Sequence, residues 1–211
     1  MKTSKTTFFT QMLLAGIFLS MLATIQTVSA QEPPSAVRRN VVKLAIPVGR
    51  EYYGLAYERT LSDRWSLQAE GGYLASQRIG NINFEGANFQ LQGKRYLGLF
   101  NTTAPEGIYL APFAQYRFVD TKSYLSDARV GISRDVYSVA GVGAHIGGQW
   151  LIVNNRIALE GYVGPGYNVT LGKDSERGSS QHSTKADDNL NWYGTRKGWG
   201  LTGGFRIGFA F

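Results

Sequence analysis

The chain has no cysteine among its 211 residues. That excludes a disulfide framework, a thiolate nucleophile and a thiolate metal site. It has two histidines, His145 and His182, so imidazole chemistry has few places to occur. Beyond residue 30 there is no apolar run of eighteen residues, which excludes a transmembrane helix. There is also no stretch of helical periodicity there. No basic run with interleaved aromatics points to nucleic acid. A chain of this kind can cross a membrane only as a closed barrel, because lipid cannot satisfy open backbone groups.

The first thirty residues read as a secretory signal. Lys2 and Lys5 form a positive start, an apolar stretch runs from Phe8 to Ile25, and Val28-Ser29-Ala30 offers small residues for cleavage. The alternative, a single membrane anchor, fits less well because Gln11, Ser20 and Thr27 interrupt the run. With no cysteine to follow, a lipoprotein is excluded. The mature chain then begins near Gln31 and holds 181 residues, one domain's worth. Loss of Lys2 and Lys5 takes the formal net charge from +7 to +5. That excess suits contact with anionic lipid headgroups or plain solubility. Residues 31–39, with Pro33 and Pro34, read as a periplasmic lead-in to a barrel spanning 40–211.

Period-two alternation dominates this barrel region. It gives eight strands, at 40–48, 51–61, 65–74, 87–97, 108–118, 135–152, 156–171 and 198–211. In the last, Trp199, Leu201, Phe205, Ile207, Phe209 and Phe211 share one face, and Gly200, Thr202, Gly204, Arg206, Gly208 and Ala210 share the other. Connections alternate in length. Ser62-Asp63-Arg64 and Val153-Asn154-Asn155 are tight polar turns, whereas 75–86, 119–134 and 172–197 are long and polar. Gly49-Arg50 is short, and Gly98 to Gly107 is intermediate. Short periplasmic turns and long outer loops are the habit of an outer-membrane barrel, and an even strand number returns both termini to the periplasm. The expected fold is all-β, an eight-stranded antiparallel up-and-down transmembrane β-barrel.

Alternation alone does not say which face is inside, since a soluble ligand-binding barrel alternates with its apolar face inward. Four features favour apolar outward. The polar face carries Lys43, Glu58, Glu70, Lys94, Arg117, His145, Glu160 and Arg206, a near-balanced charge network for a lumen that side chains fill. Trp65, Trp150 and Trp199, with Tyr53, Tyr73 and Tyr167, fall where membrane interfaces belong. Phe205, Phe209 and Phe211 form a terminal apolar alternation similar to the signal read by barrel assembly machinery. Closure of the last strand on the first removes two sticky edges.

Two stretches carry a family resemblance: Gly93-Lys94-Arg95-Tyr96 with Gly107 to Arg117, and Gly141 to Trp150 with Leu159 to Tyr167. They resemble small outer-membrane barrels typical of Bacteroidota, many known only as domains of unknown function. The resemblance implies a barrel and transfers no catalytic residue.

No catalytic, cofactor or metal site emerges. His145 lies among glycines on the small polar face, with Glu160 on the neighbouring strand, and reads as a luminal histidine bonded to a carboxylate. His182 has serines nearby but no fixed base geometry. Asp187-Asp188 has no ligand spacing around it. Gly164-Pro165-Gly166 lies within a strand, so it marks a bend or bulge and not a phosphate cradle. The leading expectation is a non-enzymatic outer-membrane barrel with a plugged polar lumen, serving surface display, adhesion or envelope support through its outer loops. Its partners would be outer-membrane lipid and the assembly machinery, with the surface ligand open. Alternatives are a narrow pore or transporter of small hydrophobic molecules, a lipid A-modifying enzyme using His145, and a soluble ligand-binding barrel.

Overall fold

The computed structural model describes residues 38–46, 52–79, 82–99, 102–123, 133–176 and 197–211. The expected signal segment, most of the expected lead-in, Gly49-Arg50, His182 and Asp187-Asp188 lie outside them. The described residues form eight strands: β1 (Asn40–Ile46), β2 (Tyr52–Ser62), β3 (Trp65–Ile79), β4 (Ile82–Tyr96), β5 (Gly107–Ser123), β6 (Ser133–Ile152), β7 (Ile157–Glu176) and β8 (Gly198–Ala210). Each pairs antiparallel with the next, and β1 pairs with β8 from Val41↔Ala210 to Ile46↔Phe205, closing the ring. Closure leaves no sheet edge along that seam, the arrangement that lipid demands.

The orientation of the wall follows directly from exposure. On β8, Phe205 is 56% exposed and Leu201 73%, while Arg206 is 1% exposed. Leu44, Leu67, Leu91, Leu110, Ile146 and Leu159 continue the apolar outer surface around the ring. Lys43, Glu58, Lys94 and Glu160 point inward and are buried. Over this portion the strands do not build a barrel with its greasy face inside.

One end of the ring carries tight turns. Asp63-Arg64 joins β2 to β3. Val153, Asn154 and Asn155 all take left-handed backbone, with φ of 51°, 57° and 60°. Asparagine tolerates that region and valine does so at a cost. The longer β4–β5 connection folds back on the first turn, with Tyr96 N donating to Arg64 O (2.8 Å) and Ala104 N to Asp63 O (2.8 Å). Ala104 is thereby buried against Tyr96, Tyr109 and Ala111, flooring the lumen at this end.

At the opposite end the strands overrun their expected limits. Residues 75–79 and 82–86 are strand, where a loop over 75–86 is expected from sequence; β5 runs to Ser123 and β7 to Glu176. The reason is a reversal of faces. On β5 the outward face is apolar from Ile108 to Phe118 and then carries Asp120 and Lys122, while the inward face, which holds Tyr109, Ala111 and Phe113 lower down, turns from Gln115 and Arg117 to Val119. Phe84, Val119, Tyr137 and Val139 pack together inside, with Leu74 against them. Outside, Arg134 holds Asp120 through Nε (2.9 Å) and Nη2 (2.5 Å), and Lys122 holds Glu85 (2.8 Å). At this end charged side chains take the outer face and the greasy residues turn inward. The ladder continues while the phase of the alternation inverts.

Candidate functional site

The chemistry-bearing side chains meet in the lumen, one strand register at a time. Lys43 on β1 stands opposite Ala56, and Glu58 of β2 stands opposite Gln68 of β3. Lys94 comes from β4, and Glu160 of β7 stands opposite both Gln149 of β6 and Arg206 of β8. The shared parity of these positions within each strand turns all of them inward at one height.

Their bonds interlock as a plate across the barrel. Lys43 Nζ donates to Glu58, to Glu160 (2.5 Å), to Gln149 Oε1 (2.5 Å) and to Gln68 Oε1 (2.8 Å). Lys94 Nζ donates to Glu58 (3.0 Å) and Glu160 (2.8 Å) and lies 4.6 Å from the Tyr109 ring centre. Arg206 donates through Nε to Glu70 (2.7 Å) and through Nη1 to Glu160 (2.9 Å), over the Tyr162 ring at 3.8 Å. Glu58 also accepts from Ser66 and from the Tyr96 hydroxyl (2.7 Å), and Glu160 from the Tyr109 hydroxyl (2.5 Å). Three cations thus meet three carboxylates, with every carboxylate oxygen of Glu58 and Glu160 bonded. Saturation of this kind is the condition under which buried charges are tolerated.

Six of the eight network residues expected from sequence form this plate. Arg117 does not. It lies nearer the long-loop end among amides, donating to Gln115 Oε1 (2.7 Å) and Asn88 Oδ1 (3.2 Å). His145 does not either, and its expected carboxylate partner is wrong. Glu160 faces Gln149, two turns of the pleat away. His145 Nε2 instead lies 2.8 Å from Thr202 Oγ1, with the ring stacked on Phe113 at 4.2 Å. Thr202 Oγ1 also lies 3.1 Å from Gly164 O, and when it donates there the histidine is the donor of the Nε2–Oγ1 pair. That arrangement corresponds to the Nε2–H tautomer, with Nδ1 buried and without a hydrogen-bond partner.

Sequence reading overlooked the neutral members. Gln68, Gln92, Gln149, Ser66, Tyr96 and Tyr109 share the inward parity of the charges, and parity alone could have named them. It also overlooked why β6 is glycine-rich. A Cβ on Gly147 would meet Tyr109 Cζ at 2.5 Å, and one on Gly143 would meet the Phe113 ring at 2.6 Å. These glycines are the space into which neighbouring aromatics lie flat. Among the described residues no group of three or more histidine or acidic side chains could hold a metal ion.

Comparison with known proteins adds the family. The family model described as "Protein of unknown function (DUF3575)" matches residues 16–202. The chain belongs to the DUF3575 family. No curated protein matches it. Among solved structures, a major outer membrane protein from Thermus thermophilus aligns with a TM-score of 0.53 at 12% identity, covering 83% of this chain and 100% of that one. The N-terminal β-barrel domain of Pseudomonas aeruginosa OprF aligns at 0.45 and 15% identity, covering 82% and 98%. Acinetobacter baumannii CarO aligns at 0.43 and 12% identity, covering 85% and 100%. At 12% identity the likeness to the Thermus outer membrane protein is one of fold.

Proposed function

We propose that this DUF3575 protein resides in a bacterial outer membrane as a shut, non-enzymatic barrel that displays its outer loops for adhesion, surface contact or envelope support. The observation that carries this reading is the plate of Lys43, Lys94 and Arg206 against Glu58, Glu70 and Glu160, buried and with its two central carboxylates saturated, inside a wall whose outer surface is apolar. Such a plate leaves no path for hydrated ions. In this reading the signal segment is removed, the tight turns and both termini face the periplasm, and the apolar alternation through Phe205 and Phe209 is what the assembly machinery engages.

The His145 site supports the non-enzymatic reading. A nucleophilic hydroxyl must pass its proton to the imidazole. With the Thr202 proton given to Gly164 O, the imidazole donates in the opposite sense. No carboxylate orients the ring. The decisive measurement is planar-bilayer conductance of the refolded protein, with heat-modifiable gel migration confirming closure. A silent bilayer is expected; steady single-channel steps of porin size would refute the plugged lumen. Lipid A mass spectrometry with and without expression is expected to show no change in acyl pattern.

A further inference from the structure

The described charges are distributed unequally between the two ends of the barrel. Beyond the apolar band at the long-loop end, the described side chains of Lys122, Arg134 and Lys197 are matched in number by Glu85, Asp120 and Asp135. The tight-turn end carries Arg38, Arg39, Arg59, Arg64, Arg95 and Arg156, against Asp63 and Glu106 alone. Among the described residues none of these six arginines makes an ion pair, whereas Lys122 and Arg134 at the other rim pair with Glu85 and Asp120, and the luminal charges pair with one another.

Their placement says what they face. Arg59 and Arg95 sit at outward positions of β2 and β4, between the buried inward residues Glu58 and Thr60 and Lys94 and Tyr96. The Arg95 guanidinium lies 5.8 Å from the Trp65 ring centre, and that of Arg156 lies 6.0 Å from the Phe209 ring centre. Trp65 and Phe209 are exposed members of the lipid-facing wall. The Arg95 and Arg156 guanidinium groups therefore stand at the seam between the apolar belt and water, each backed by an aromatic face. That is the position of a lipid phosphate. A planar fork matches phosphate oxygens bidentately, and arginine is the side chain that does so while stacked on a ring.

We infer that the tight-turn rim is a collar for the phosphate groups of anionic phospholipid in the adjoining leaflet, with Arg59, Arg95 and Arg156 as its outward contacts. The inference rests on the membrane-spanning reading. An acidic protein partner is disfavoured because these three arginines project sideways along the wall beside the aromatic belt.

Tryptophan quenching tests it. Variants keeping only Trp65 or only Trp199 are refolded into phosphatidylcholine vesicles that contain a minor share of phosphatidylglycerol. In parallel samples the bromine label is on one lipid or the other, and folding is checked by heat-modifiable migration. Around Trp65 the expected local enrichment of phosphatidylglycerol is on the order of fivefold over bulk, as for a cation held near an anionic surface. Around Trp199, at the balanced rim, it is expected to equal bulk. The triple substitution R59Q/R95Q/R156Q should return Trp65 to bulk, and added salt at about 0.5 M on the unsubstituted rim should do the same if the triple variant does not fold. Equal quenching by the two labelled lipids at Trp65, or a preference that survives both treatments, overturns the collar. Binding of a polyglutamate peptide without any lipid preference would overturn it in favour of an acidic protein. If neither tryptophan is quenched by either lipid, it is the membrane-spanning reading that has failed.

Discussion

Glu160→Gln is the sharpest test of the luminal plate. Glu160 accepts from Lys43 (2.5 Å), Lys94 (2.8 Å), Arg206 (2.9 Å) and the Tyr109 hydroxyl (2.5 Å), all of them buried. Glutamine keeps the shape but removes the charge, leaving Lys43, Lys94 and Arg206 against Glu58 and Glu70. Breaking a buried pair from one side costs about 3–5 kcal/mol, most of it the penalty of an uncompensated charge out of water. The amide nitrogen also faces a donor whichever way it is turned, Lys43 Nζ at the least. We expect Glu160→Gln to lose about 4 kcal/mol in urea titrations of the protein refolded into vesicles, followed by tryptophan fluorescence. The size of the loss is not the whole test, since any damaged core loses stability. Adding Lys94→Met removes one cation at nearly constant volume and restores two against two. The double variant should therefore be more stable than Glu160→Gln alone, a reversal that additive damage does not produce. A double variant no more stable than the single one, or a single cost under about 1 kcal/mol, would refute the idea that charge balance holds the lumen together.

Three further outcomes follow from the same geometry. Gly147→Val forces a branched side chain into the Tyr109 ring and toward Gly161 O (2.8 Å), while Tyr109 is tied to Glu160; about 3 kcal/mol should be lost in the same titration, whereas Gly93→Ala, with nothing within 4 Å of the new Cβ, should stay within about 0.5 kcal/mol. Phe205→Arg places a charge on the lipid face between the aromatic belts and should cost about 2–4 kcal/mol, against about 0–1 for Trp199→Arg at the rim; equal costs would mean that the two sites lie at equal depth or outside lipid. Nitrogen-15 NMR of selectively labelled protein should show His145 as the Nε2–H tautomer, and an Nδ1–H signal would contradict the Thr202 hydroxyl's bond to Gly164 O.

Most of the wall was legible because an apolar outer surface and a polar filled lumen make a strand's two faces chemically unlike. Trp199 to Ala210 shows this in its purest form, and strands β1, β2 and β8 end within a few residues of where the alternation ends. The plate was legible to the extent that charges on inward parity must find one another. Two things were not. The strand extensions at 75–79, 82–86 and 119–123 carry no apolar-out signal, because the outward face of β5 passes from Phe118 to Asp120 and Lys122, and a wall without outward apolar residues reads as the end of a strand. The surroundings of His145 were misjudged because parity gives a residue's face but not its height. His145 and Glu160 share the lumen, yet the register sets Glu160 beside Gln149.

Height is also what the charges themselves specify. A barrel of this width could be filled with valine and alanine, as the layer of Val41, Ala158 and Ala210 near the turns already is. Replacing buried ion pairs by apolar groups is often neutral or better for stability. Such a lumen would make both faces of every strand greasy, and a one-residue slip in pairing would then cost little. With the plate in place such slips would carry Lys43, Lys94 or Arg206 onto the apolar outer face and bring residues such as Phe205 and Leu201 inside, because every side chain of a slipped strand changes face at once. A slip of β8 against β7 would also separate Glu160 from Arg206, which stand directly opposite. The three-against-three arrangement therefore acts on register as much as on closure. Its members come from β1, β2, β3, β4, β7 and β8, so it ties the first strands of the chain to the last and holds the short β1–β8 seam in its correct pairing.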